Sequence, residues 1–135
     1  MRRRHLLLGL AILGSVTSCK SSLEIAGGSL PGIGSFTLVQ VDGNPLPYRG
    51  TTTITLRGGL TIQTNTQYVL TQTDSAIAGG PAATTTHQGV WTLTDNSYVF
   101  HDGNAVVGLA AVSGNGDTLR ATITPSVLVY LYVKN

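Results

Sequence analysis

From Ser35 onward the apolar side chains of this chain alternate with Thr, Ser, Gln or Arg, and no other feature narrows its fold so far. Phe36-x-Leu38, Ile54-x-Leu56, Leu60-x-Ile62, Tyr68-x-Leu70, Trp91-x-Leu93, Tyr98-x-Phe100 and Leu119-x-Ala121-x-Ile123 all show it. Successive side chains of a strand point to opposite faces, so a period of two gives each segment one apolar and one polar face. No apolar i, i+3, i+4, i+7 run of useful length competes with this pattern. The reading is half-buried antiparallel strands with a polar outer face, and hence an all-β domain. The 18 threonines that follow Ser18 agree, because β-branched side chains suit a pleated surface.

Turn chemistry divides the run. "DGN" occurs at 42–44 and 102–104, "RGG" at 57–59, "NT" at 65–66, "DN" at 95–96, "GNGD" at 114–117 and "TP" at 124–125. About eight strands result, over 35–41, 52–64 (bent at Gly58-Gly59), 67–73, 84–94, 97–101, 105–112, 118–124 and 127–133. The later connections are very short, which favours a meander of hairpins. An open meander leaves two exposed edges, and closing it into an up-and-down barrel removes them. A β-sandwich is the alternative. A membrane-spanning barrel is disfavoured, because most of these strands run to about seven residues where roughly 9–11 are needed.

The N-terminus carries a separate message. "MRRRH" is a compact cationic segment, "LLLGLAILG" an apolar run of nine residues, and "SVTSC" supplies small residues. That order is a secretory signal peptide, and the apolar run falls short of the roughly 20 residues a spanning helix requires. Val16-Thr17-Ser18-Cys19 resembles the lipobox of bacterial lipoproteins, with cleavage between Ser18 and Cys19. The resemblance implies that Cys19 is diacylated through sulfur and becomes the new N-terminus. It also accounts for the single cysteine, since one thiol can form no internal disulfide and acylation consumes it. Two or three acyl chains hold a protein durably where one gives marginal binding. Lys20 stands where the family's inner-membrane retention signal is typically Asp. The expected location is therefore the bacterial cell envelope, at the outer membrane if the host has two.

Taking 1–18 as the signal peptide changes the electrostatics. Lys20, Arg49, Arg57, Arg120 and Lys134 then face Glu24, Asp42, Asp74, Asp95, Asp102 and Asp117, a net charge of −1. No basic patch remains, so nucleic acid is not an expected partner. Residues 19–33 ("CKSSLEIAGGSLPGI") read as the lipidated cysteine and a flexible tether with a root-mean-square span of about 20 Å. Residues 34–135 form the β domain, long enough to bury a core without disulfides.

The segments "GSFTLVQVDGNPLPY" (34–48), "GGLTI" (58–62), "QYVLT" (67–71), "GVWTL" (89–93) and a Tyr-containing last strand are similar to a pattern in small bacterial lipoproteins. That resemblance implies a lipocalin-like eight-stranded barrel and no particular activity. The Gly-x-Trp that lipocalins carry on their first strand stands mid-chain here, as Gly89-Val90-Trp91.

Catalytic constellations are hard to assemble. His87 and His101 fall at offset positions of one hairpin and have no further metal ligands at suitable spacing, so they read as solvated histidines and no metal is expected. His101 and Asp102 are adjacent on a strand and point to opposite faces. No Gly-x-Ser-x-Gly elbow is present. The repeated Asp, Asn and Gly lack calcium-loop spacing and suit tight turns. The chain is not expected to be an enzyme or to need a cofactor. Phe36, Tyr68, Trp91, Tyr98 and Phe100 fall on the inward phase of their strands. In the last strand, Tyr130 and Tyr132 compete for that role with Val127, Val129, Leu131 and Val133. Two readings follow for the aromatics: a filled core, or the lining of a small apolar cavity with Ser75–Thr84 as its lid. The functional expectation is a non-catalytic module that binds a small apolar ligand or an envelope partner. The alternative is a structural or interaction protein with a solid interior.

Overall fold

The structure is a computed structural model and describes residues 30–135. The expected signal peptide with its cleavage site at Ser18 and Cys19, and residues 20–29 of the expected tether, lie outside the described residues. The described chain forms ten strands and one short 3-10 turn. Eight strands are long: β1 (Gly34–Val41), β4 (Thr53–Ile62), β5 (Gln67–Ala76), β6 (Ala83–Thr94), β7 (Ser97–Asp102), β8 (Ala105–Ser113), β9 (Thr118–Ile123) and β10 (Tyr130–Lys134). Two are two-residue pairings, β2 (Asn44–Pro45) and β3 (Tyr48–Arg49), in the connection between β1 and β4. Each long strand pairs antiparallel with the next in sequence, and β1 pairs with both β4 and β10. The meander therefore closes into an eight-stranded up-and-down antiparallel barrel, the first of the two folds expected.

Turn residues do what their chemistry allows. Asp42 (φ 50°), Gly43 (φ 77°), Asp95 (φ 53°) and Gly103 (φ 59°) adopt the left-handed conformation where the chain reverses. The core is one cluster that includes Phe36, Leu38, Leu60, Ile62, Tyr98, Phe100, Leu119 and Tyr132. Two small residues on adjacent strands sit between two large ones across it. Tyr98 opposes Ala110 on β8, Ala110 opposes Ala121 on β9, and Ala121 opposes Tyr130 on β10. Gly108 stands opposite Phe100, and a Cβ there would lie 3.3 Å from that ring and 2.9 Å from Ile123. Burying each of the larger side chains contributes roughly 1.5–3 kcal/mol.

Two strand phases differ from the simplest reading. In β4 the pairing with β5 shifts between Thr55 and Arg57, so Thr55 is buried (5 % exposed) and Leu56 is 39 % exposed. A bulge re-aims the side chains on one side of it. In the last strand the tyrosines win the inward phase, because Tyr130 and Tyr132 oppose Ala121 and Leu119, which already face inward. That strand begins at Tyr130; residues 124–129 form a loop pinned by Asp42, whose carboxylate accepts from the Val129 amide at 2.8 Å.

The two ends of the barrel are unlike. Leu30–Ile33, assigned to the tether from sequence, packs on the end formed by the 63–66, 95–96 and 113–117 turns. Leu30 and Ile33 pack against the core, and the Pro31 carbonyl accepts a 2.6 Å hydrogen bond from the Tyr98 hydroxyl. Gly32 (φ 86°) lies so close to the Tyr98 ring that a Cβ would come within 2.7 Å of it. Residues 30–33 thus plug this end. Residues 30–135 close the barrel on itself around one core cluster of the described residues. The opposite end carries the 42–52, 77–82, 103–104 and 124–129 connections and is open.

Candidate functional site

The open end owes its shape to unequal strand lengths. β6 runs twelve residues and β7 only six, because the Asp102-Gly103-Asn104 turn reverses the chain early. The β6–β7 ladder begins at Val90 opposite His101, so Ala83–Gly89 pair with β5 alone. Beside this stretch a cavity of about 250 Å³ enters the barrel. Its lining is Tyr68 and Leu70 of β5, His87 and Gln88 of β6, Phe100 and Asp102 of β7, Val107 of β8, and Ile123 and Thr124 at the end of β9. The Tyr68 and Phe100 rings lie 4.5 Å apart with planes tilted by 40°. His87 stands opposite inward-facing Leu70 and therefore points to the cavity side, although it is exposed through the gap.

Asp102 is the only carboxylate in that lining, and no Lys or Arg contributes to it. Burial raises the pKa of the Tyr68 hydroxyl above its ordinary value, and the negative charge of Asp102 raises it further. At neutral pH the phenol is uncharged and able to donate or accept a hydrogen bond.

Two further recesses are present. One, of about 400 Å³, opens at the same end between Tyr48, Thr53, Thr55, Gln72, Tyr130 and the 125–128 loop. Its walls are fixed by local bonds: Tyr130 donates to Ser126 Oγ at 3.2 Å, and Gln72 Nε2 donates to both Asp74 oxygens at 2.9 and 3.1 Å. The other is a shallow groove on the outer face, floored by Gly58 and Gly59. There Arg57 Nε donates to Thr73 Oγ1 at 3.2 Å, and Thr73 and Thr84 hydroxyls share a 2.7 Å bond.

All five aromatics singled out from the sequence are inward and buried, at different depths. Tyr68 and Phe100 line the 250 Å³ cavity. Phe36, Trp91 and Tyr98 do not line it, because they fill the plugged half. There Trp91 and Tyr98 meet edge-to-face at 5.0 Å, and Trp91 Nε1 donates to the Gln63 carbonyl at 2.9 Å. Burial without a nearby charge pushes the Tyr98 hydroxyl up to about 12. Missing from the sequence-based set are Leu70, His87, Gln88, Asp102, Val107, Ile123 and Thr124. The usable signal for His87 was its register with Leu70, once the β5–β6 hairpin is aligned. The connection between β5 and β6 is shorter than the Ser75–Thr84 lid expected. The strands extend to Ala76 and resume at Ala83, and Ile77 N donates to the Thr52 carbonyl at 3.0 Å.

His101 faces outward, where its Nε2 lies 2.9 Å from the Thr92 hydroxyl. Among the described residues no three His, Cys, Asp or Glu side chains come together in a group that could hold a metal ion. The class of protein that fold and cavity define is a small antiparallel barrel, plugged at one end and open at the other, consistent with a lipocalin-like fold. Comparison with models of known protein families, with curated proteins and with solved structures returned no match.

Proposed function

We propose that this chain is a lipid-anchored bacterial envelope protein whose barrel is a non-catalytic binding module, taking one small, largely apolar ligand at its open end. The observation that carries the reading is the 250 Å³ cavity, walled by Tyr68, Leu70, Phe100, Val107 and Ile123 with polar groups gathered at its rim. Apolar walls with a few convergent polar groups are the usual form of a small-molecule site. A volume just under the common range of roughly 300–1,000 Å³ argues for a small ligand. Anchoring rests on the Val16-Thr17-Ser18-Cys19 motif, and Lys20 supports the outer membrane in a host with two.

Residues 20–135, isolated quickly from cells and examined by native mass spectrometry, are expected to carry a stoichiometric small-molecule adduct. Repeated absence of an adduct, with no thermal shift across a lipid and metabolite panel, would refute ligand carriage. For the anchor, Cys19→Ala is expected to abolish incorporation of labelled fatty acid and release the protein from membranes. Unchanged membrane attachment would refute the lipidation. A second reading, an interaction protein without ligand, is favoured by the plugged half, where Phe36, Tyr98 and Tyr132 leave a solid interior.

A further inference from the structure

We infer that the cavity selects a cationic head group: a small amine or quaternary ammonium whose charge sits against Asp102 and whose apolar part lies on Tyr68 and Phe100. This deepens the binding reading above and rests on it. The lining holds one carboxylate, Asp102, and neither Lys nor Arg; its one basic group is the His87 imidazole, which is exposed through the gap. An anionic ligand would therefore enter against a carboxylate that no Lys or Arg of the lining offsets. A neutral ligand would cover that carboxylate without pairing it, which costs solvation. A cation pairs it.

The walls favour the same charge. Tyr68 and Phe100 place two aromatic rings 4.5 Å apart beside the carboxylate. Aromatic faces attract cations through the ring quadrupole, and a desolvated cation gains most. Gln88 and Thr124 supply oxygen acceptors for the N–H groups of an amine at the rim, and Val107 and Ile123 take an apolar tail. The Tyr68 hydroxyl, its pKa raised first by burial and further by Asp102, stands on this same wall as a neutral phenol. The other recess at the open end has Tyr, Thr, Gln and Ser in its lining and no ionised side chain, so the selection belongs to the Asp102 side.

The test is an NMR titration of ¹⁵N-labelled residues 20–135 at pH 7 with benzylammonium, benzyl alcohol and benzoate, three probes of nearly one shape. Benzylammonium is expected to bind at least about tenfold tighter than benzyl alcohol, with benzoate weakest and the shifts centred on Tyr68, Phe100 and Val107. Asp102→Asn keeps a turn-forming side chain. It is expected to abolish the preference for the amine while benzyl alcohol binds as before. In the unaltered protein, raising the salt from low to high is expected to weaken benzylammonium and leave benzyl alcohol unchanged. This arm decides the matter even if the variant does not fold. Equal binding of amine and alcohol, a preference for benzoate, or an amine preference that survives Asp102→Asn would overturn the charge selection and leave a ligand cavity standing. No binding of any probe would overturn the cavity reading as well.

Discussion

Gly32→Ala tests whether the Leu30–Ile33 plug is a seated part of the domain. An alanine here meets two penalties. The backbone lies at φ 86°, where a side chain costs roughly 1–2 kcal/mol. Its Cβ would also sit 2.7 Å from Tyr98 Cε2 and 3.1 Å from Val112 Cγ2. Tyr98 is fully buried, so its ring has nowhere to retreat. Overpacking of this kind costs roughly 1–3 kcal/mol. Gly43→Ala isolates the first penalty, since Gly43 has φ 77° and nothing within 4 Å of its Cβ position. We expect a loss of about 2–5 kcal/mol for Gly32→Ala and about 1–2 for Gly43→Ala. Near 100 residues each kcal/mol shifts Tm by about 4 °C or more. The assay is thermal unfolding with fluorescence from Trp91, the single tryptophan, which packs against Tyr98 at the plugged end. Gly32→Ala should also red-shift the native emission as the plug lifts and water reaches this end. Equal Tm values for the two variants, with unchanged emission, would refute the seating of the plug.

Three more expectations concern other parts of the fold. Gly89→Ala should destabilise by about 2–4 kcal/mol, because its Cβ would press into the His101 backbone carbonyl and lie 3.1 Å from Tyr68; a denaturant midpoint unchanged from wild type would contradict this. The raised pKa of Tyr98, about 12, means that the folded state favours the neutral phenol; Tyr132 is raised in the same direction by burial and by Tyr130. Stability is therefore complete below pH 10 and falls as pH rises from 10 through 12, a decline that denaturant midpoints should follow and Tyr98→Phe should reduce. Asp42→Ala removes the acceptor for the Val129 amide at 2.8 Å, so about 1 kcal/mol of stability should be lost and Val129 should exchange its amide hydrogen faster.

The barrel was legible because a period-two pattern and turn chemistry are local properties. Strands such as Tyr68-x-Leu70 and Tyr98-x-Phe100 carry their inward face in their own residues. Where that failed, the deciding partner was remote. The phase of Tyr130 and Tyr132 depends on Leu119 and Ala121 across the ladder, since Val129, Leu131 and Val133 offer an equally apolar alternative. The burial of Thr55 in place of Leu56 comes from a bulge against β5, which nothing in "TTTITLR" announces. Leu30-Pro31-Gly32-Ile33 has tether composition, and its two apolar residues gain meaning only once Tyr98 offers a hydroxyl to Pro31. The cavity was partly legible for a different reason. Alternation tells which face a side chain occupies but not how deep along the barrel it lies. Five inward aromatics therefore looked equivalent, while strand lengths left Tyr68 and Phe100 at the open end and packed Phe36, Trp91 and Tyr98 into the other.

The plug also sets how the domain bears load. β1 leaves the plugged end and runs towards the open one, held between β10 and β4 by two ladders. A pull on the chain before Leu30 draws β1 lengthwise out of that end. Both ladders are then strained in shear, with their hydrogen bonds resisting together rather than opening one at a time. A protein tugged from its N-terminus would transmit the force first to the Tyr98–Pro31 bond and then to a strand held on both sides.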